Sequence, residues 1–583
     1  MRVKFNTVLL IAAFVISLAI PSTFAQEVDS VIVAALPPGN LNTVINGDTT
    51  STGERVNPNR VYVLAPTGVV DTTYFITAQI EIKDLTLVGK INPNTGHPPV
   101  IAPFILEDNT SAGNIAAAVD QGFVKFENLF LLGTRTDGSQ VTQQCVSANS
   151  DSCRYVMKNC IFENFGSSGT PNILNTWDAI GTDIFLEHCL FRNNQSSTPQ
   201  NPGVNWAGPG VNAIDTFVVR FCTFEVMGGN IAGSGSSINY FEFDHNTMFN
   251  HTKSSPFSMV QQSNSVITNN IFYNCYSAGL DSNHIYNAEV YNSNFYSPPA
   301  IFTLDTLTSE LLGDPYYYTE AGRIIYAENN AYYWNSIITD NFDVLNGDTK
   351  YQNVGGRIYA PVWAATKPGV EDMLTDSEKY PGIQIMDNNW NVDPGFDATF
   401  ANAASDSMAE YVRFVWENGG SGLGSRPFIN STDPIDPFAD VPDDWESTQG
   451  YPVKENLRYT NSTLLTADSK GRPIGDLTWY PELITGIKDI SDGTVPTEFS
   501  LDQNYPNPFN PTTKISYSIA SNAHVTLKVF NVLGQEVATL VNKEQQPGKY
   551  VVDFNAAKLA SGVYMYRIEA DNTFMTKKMI LLK

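Results

Sequence analysis

One short phrase recurs seven times between Val124 and Pro299. An apolar alternation leads into a polar pair and then a closing aromatic residue or methionine. The copies are Val124–Phe130, Val156–Phe162, Phe185–Phe191, Val218–Phe224, Glu242–Met248, Val266–Phe272 and Glu289–Phe295. They lie roughly 23 to 33 residues apart, the spacing of stacked repeats. Superposed on the closing residue, they set Asn128, Cys160, Cys189, Cys222, Asn246, Asn270 and Ser293 in one column. A second column holds Asn164, Asn193, Val226, Asn250, Asn274 and Ser297. The alternation predicts a strand and the polar pair a turn. A unit this short cannot bury its own apolar face, so its neighbours must cover it. Asparagine suits the columns because it tolerates left-handed backbone and carries both donors and acceptors. Cysteine in the same column acts as a small buried hydrophobe.

The pattern from Val61 to Tyr333 resembles the right-handed parallel β-helix with an asparagine ladder, the fold of the pectate-lyase-like superfamily. The resemblance implies an all-β body, a single-stranded parallel β-helix with long C-terminal loops. Residues 26–335 are assigned to that helix and its N-terminal cap, with Val28–Leu41 a candidate for the cap. Residues 336–487 form an acidic, loop-rich region that completes or covers the helix, with a short helix expected at Met408–Trp416. Arg323–Tyr332 repeats the phrase and reads as one more coil. Lys470–Pro481 is similar to a closing segment of secreted bacterial β-helix proteins.

Both ends of the chain point to export. Residues 1–25 read as a signal peptide: Arg2 and Lys4, an apolar run from Val8 to Ile20, and a small residue at Ala25. No later apolar run is long enough for a membrane span, so no transmembrane anchor is expected. Residues 488–498 read as a polar linker. From Phe499 to Lys583 short alternating strands follow a proline-rich opening, which predicts a small Ig-like β-sandwich. The stretches LDQNYPNPFNPTT, VFNVLGQEV, LASGVYMYRIEA and TKKMILLK closely resemble the type A C-terminal sorting domain of the bacterial type IX secretion system. That resemblance implies contact with the type IX machinery through residues 499–583, then a protein secreted or attached to the outer cell surface.

Charge narrows the partners. The formal net charge is −26, while residues 499–583, with 9 basic and 6 acidic groups, are net positive. An acidic body argues against nucleic acid as a partner. It permits calcium, a hard cation that takes oxygen ligands. Asp340, Asp343 and Asp348, or Asp436, Asp440, Asp443 and Asp444, supply such ligands, although neither group has EF-hand spacing and both suit solvated loops. Of the six cysteines, Cys145 and Cys153 lie in a polar loop where an exported protein can form a local disulfide.

The β-helix resemblance directs attention to outward columns, because family members that cut acidic polysaccharides work there. One column carries Lys158, Glu187, Arg220 and Asp244; another carries Glu163, Arg192 and Glu225. Both alternate in sign, which suits pairing across the sheet better than a calcium-and-base site. Asp183 and Asp215, with Asp178 and Trp177 nearby, are the candidate catalytic carboxylates; a carboxylate pair suits glycoside hydrolysis. His188 and His245 read as turn residues with satisfied hydrogen bonds. Phe249, Tyr273 and Tyr296 share one outward column, 24 and 23 residues apart, and form the candidate glycan-binding strip. The competing reading has Phe302–Asp489 folded over that strip. Two functional classes follow: a non-catalytic surface protein that binds extracellular polysaccharide or matrix, and a polysaccharide lyase or glycoside hydrolase.

Overall fold

The computed structural model describes residues 29–417, 457–480 and 500–581, apart from short interior stretches of which 282–299 and 306–322 are the longest. Two compact units divide the chain, residues 1–487 and 488–583.

The first unit is a parallel β-helix. An 11-stranded parallel sheet runs from Ser30–Val33 to Ile383–Ile385, and a 10-stranded one from Thr73–Ile76 to Trp390–Asn391. A third face is split into a five-stranded sheet over the early coils and a three-stranded sheet over the late ones. A typical coil passes through Val146–Ser147, Arg154–Lys158 and Ile161–Glu163, one strand in each face. Alternation decides which side chains turn inward. Phe162, Phe191 and Phe224 stack inside the helix with centroids 4.8 Å apart and rings 5° from parallel. That distance is the spacing of neighbouring strands, so in-register rings stack without distorting the backbone.

The two asparagine columns do different work. Asn164, Asn193, Val226, Asn250 and Asn274 all have φ between 50° and 61°, the left-handed region that asparagine enters most readily. The other column is the ladder. Asn246 Nδ2 donates to Asn270 Oδ1 at 3.2 Å, Asn270 Nδ2 to Asn330 Oδ1 at 2.9 Å, and Asn330 Nδ2 to Asn389 Oδ1 at 2.8 Å. Each amide also donates to the preceding coil, as Asn270 does to Phe243 O at 2.8 Å. Buried amides are therefore satisfied on both sides, as burial requires. In the earlier coils Cys160, Cys189 and Cys222 occupy this height as buried free thiols, and Cys189 N donates to Cys222 Sγ at 3.4 Å.

Three expectations need correction. Glu127 pairs with Lys158, so Asn128 takes the left-handed turn at φ 54° and Leu129 takes the ladder position. The whole first phrase is shifted by one residue: Phe130 pairs with Ile161, and Leu131 is the inward closing residue beside Phe162. Next, Thr268 pairs with Glu328. The coil after Ile271–Tyr273 is therefore Ile324–Tyr333, and Asn330 fills the ladder place assigned to Ser293. The phrase Glu289–Phe295 lies outside the described residues. Finally, Cys145 and Cys153 are buried free cysteines, with no disulfide between them.

Both ends of the stack are closed. Helix Asn40–Gly47 lays Leu41 and Ile45 into the core at the first coils. At the far end Met373 and Tyr380 join the same core. The helix expected at Met408–Trp416 runs longer, Ala398–Glu417, because its alanine-rich start also favours helix. It packs on Ser336–Gly347 through Met408, Tyr411, Val412 and Trp416. Asn335 caps that second helix, its side chain accepting from Ile337 N at 2.9 Å.

The second unit is two antiparallel sheets of three and four strands around one apolar core that includes Val525, Leu527, Tyr566 and Ile568. Period-two alternation along Ala523–Asn531 turns one face to that core.

Candidate functional site

Two of the carboxylates picked from the sequence, Asp183 and Asp215, sit on the outer face of the 11-stranded sheet. Asp183 pairs with Arg154 in the coil before and with Thr216 in the coil after. A register shift lies between Thr182 and Asp183, where Ile214 and Thr216 are their partners, and Asp215 is the extra residue of that bulge. Bulges re-aim side chains, and this one brings the Asp215 charge to bear on Asp183. Burial pushes the Asp183 carboxyl up, Asp215 adds to the rise, and Thr216 and Arg154 oppose it. Asn239 donates to Asp215 Oδ1 at 3.0 Å. Asp178 and Trp177 lie outside the described residues. Phe185 and Tyr240, both half-buried, lie on the same outer face, and the Arg154 guanidinium stands 4.8 Å over the Phe185 ring. Arg and aromatic ring at this distance attract each other.

The charged columns pair as structure. Arg192 makes a buried two-pronged contact with Glu163, one arm at 2.8 Å through Nε. Lys158 and Glu187 approach to 4.0 Å. Arg220 departs from the expected row and binds Glu242 in the next coil through both carboxylate oxygens, at 2.5 and 2.8 Å. Tyr240 donates to the same Glu242 at 2.7 Å.

The aromatic strip is core. Phe249 and Tyr273 stack with centroids 5.0 Å apart, and each is only 1% exposed. Tyr333, in register with Tyr273, is the third ring of the column. Tyr296 lies outside the described residues. Phe396 and Phe400 pack on Phe249, and Leu457, Tyr459, Leu464, Ile474 and Tyr480 complete the cover. The open sugar platform expected at Phe249 and Tyr273 is therefore corrected: the later chain folds over it, the competing reading given above.

The covering segment, residues 457–480, brings together groups that the spacing did not reveal. Gly475 N donates to Asn269 O at 2.7 Å, and Asp476 N to Thr247 Oγ1 at 2.9 Å. Thr223 Oγ1 donates to Asp476 Oδ2 at 2.7 Å. Burial pushes the Asp476 carboxyl up to about 7, against the hydrogen bonds from Thr478 and Thr223. Beside it, His245 lies between two carboxylates, with Nδ1 2.8 Å from Asp244 and Nε2 3.4 Å from Asp468. Burial disfavours the charged ring, yet Asp244 outweighs it and raises the imidazole, with Asp468 helping. Arg472 Nε reaches Asp468 at 2.8 Å. The turn histidine of the sequence reading is thus half of an ionic contact between coil and cover.

Among the described residues no three His, Cys, Asp or Glu groups converge as metal ligands. Asp340 and Asp343 lie within Ser336–Gly347 and Asp348 caps its C-terminus; Asp436, Asp440, Asp443 and Asp444 lie outside the described residues. No helix among the described residues is long and apolar enough to cross a membrane.

No curated protein and no solved structure matches the chain. Residues 503–582 match the family model described as secretion system C-terminal sorting domain. The second unit is therefore the type IX sorting domain of a protein that is secreted or attached to the outer cell surface.

Proposed function

We propose that the β-helix body binds an extracellular polysaccharide along the outer face of its 11-stranded sheet. The supporting observation is the grouping of Phe185, Tyr240, Arg154, Asp183 and Asp215 on that face, while the other aromatic column is covered. Half-buried rings take the apolar faces of sugars, and the flanking polar groups take hydroxyls. A body this acidic holds an acidic glycan only with a cation between them, so calcium enters as a bridge.

The test is retention on a panel of neutral and acidic polysaccharides, with and without calcium. Phe185→Ala combined with Tyr240→Ala lowers retention about tenfold or more at unchanged melting temperature. No retention of any polysaccharide in either condition overturns the reading.

The raised Asp183 carboxyl beside Asp215 favours a second reading, a glycoside hydrolase or lyase of the pectate-lyase-like kind. Release of reducing ends or unsaturated products, lost in Asp183→Asn, decides for it. Binding without product decides against it.

A further inference from the structure

Residues 457–480 lie over the Thr223–Thr247–Ile271 row of the 10-stranded sheet, beside the aromatic column, and are fastened there through ionisable groups. On the coil side stand His245 and Asp244, with Arg220 acting on Asp244 through its charge. On the covering side stand Asp468, Arg472 and Asp476, and Tyr459 lies within reach of the Asp468 charge. Asp476 faces Thr223, Thr247 and the buried thiols of Cys189 and Cys222, with no cation beside it among the described residues. His188 meets the segment at Thr478 Oγ1, 3.2 Å away. Trp479 Nε1 donates to Thr223 at 2.9 Å, the hydroxyl that also serves Asp476.

We propose that residues 457–480 form a proton-dependent latch, closed over the Thr223–Thr247–Ile271 row of the 10-stranded sheet in mildly acid medium and loosened as the medium turns alkaline. With the latch open, Asp476 is in water and ionises near 3.8; closed, it holds its proton up to about 7. The closed state therefore binds the extra proton and loses stability as pH rises between those values. His245 works in the same direction: Asp468 meets its Nε2 only in the closed latch and favours the charged ring, so that contribution is lost as pH climbs through the raised value. Asp244 is lowered, burial notwithstanding, by His245, Asn269 and Thr268, all on the coil side, so it takes no part in the pH dependence of closure. Closure is therefore strongest in acid medium and weakens as pH rises toward 7. The Asp476 shift, from 3.8 to about 7, corresponds to roughly a thousandfold change in the closing equilibrium.

Amide hydrogen exchange of the full-length protein, corrected for intrinsic rates at about pH 5.5, 7 and 8.5, reads the latch directly. Peptides within 457–480 lose protection by tenfold or more, roughly, from the lowest to the highest pH, while peptides across Thr182–Arg192 hold theirs. Asp476→Asn keeps the hydrogen-bonding shape without the titration and flattens most of that dependence. His245→Gln removes the remainder, read as the ratio of protection between the two pH extremes. Protection independent of pH, a loss shared equally by Thr182–Arg192, or an unchanged ratio in Asp476→Asn overturns the proposal.

Discussion

The ladder amides are satisfied from two sides, so each is worth more than one hydrogen bond. Asn270 Oδ1 accepts from Asn246 N at 2.7 Å, and its Nδ2 donates to Phe243 O and to Asn330. Asn270→Ala leaves a buried N–H and a buried carbonyl without partners, and destabilises the body by about 3 kcal/mol. Urea unfolding measures this; a loss below about 1 kcal/mol would show that water replaces the amide. The thiol rungs behave differently. Burial raises Cys160 and Cys222 well above the usual thiol range, so native labelling of either is slow and appears only on unfolding. Rapid native labelling would contradict the buried register. The ladder was legible in the sequence because the asparagines and cysteines recur at one height. The charge state of Asp476 was not, since nothing in its neighbours along the chain reveals the apolar site that encloses it.

Among the elements, the cover over the second sheet depends on one turn. Gly475 has φ +81°, and a Cβ there would lie 2.8 Å from Thr247 Oγ1 and 2.9 Å from Ile271 Cδ1. Gly475→Ala is thus both strained and crowded, and lifts residues 457–480 from the sheet. Exchange protection in that segment falls roughly tenfold or more at every pH, with the coils unaffected. Equal protection in variant and parent would show that the sheet gives way instead. The coils themselves were readable, because strand alternation and turn chemistry are local. The position of the cover was not, because its partners are far away in the chain. The same limit misplaced Glu289–Phe295: it carries the phrase, but Thr268 finds Glu328 instead. Ile324–Tyr333 offers Asn329 for the left-handed turn and Asn330 for the ladder, where Ser293 offers a smaller side chain with fewer bonds. At the outer face, Asp183 and Asp215 could be named from the sequence, but the bulge that relates them could not.

At the scale of the whole molecule, the two units have separate cores. Removing residues 488–583 shifts the melting of the body by no more than about 2 °C, as expected when each unit has its own core. Secretion is lost, which cell fractionation measures. An unfolded truncated body would place the boundary elsewhere. Within the body, most contacts join one coil to the next, and such a stack can grow from any point. The cover is the exception: Thr223 and Asp476 are 253 residues apart. Contacts that distant form late, since the intervening chain must be present and ordered first. A polypeptide that stops before Phe396 can stack its early coils, but it leaves Phe249 and Tyr273 without the rings that pack on them. The fold therefore records its own completion: bare rings on that face mark an unfinished molecule, and a sealed face marks a finished one.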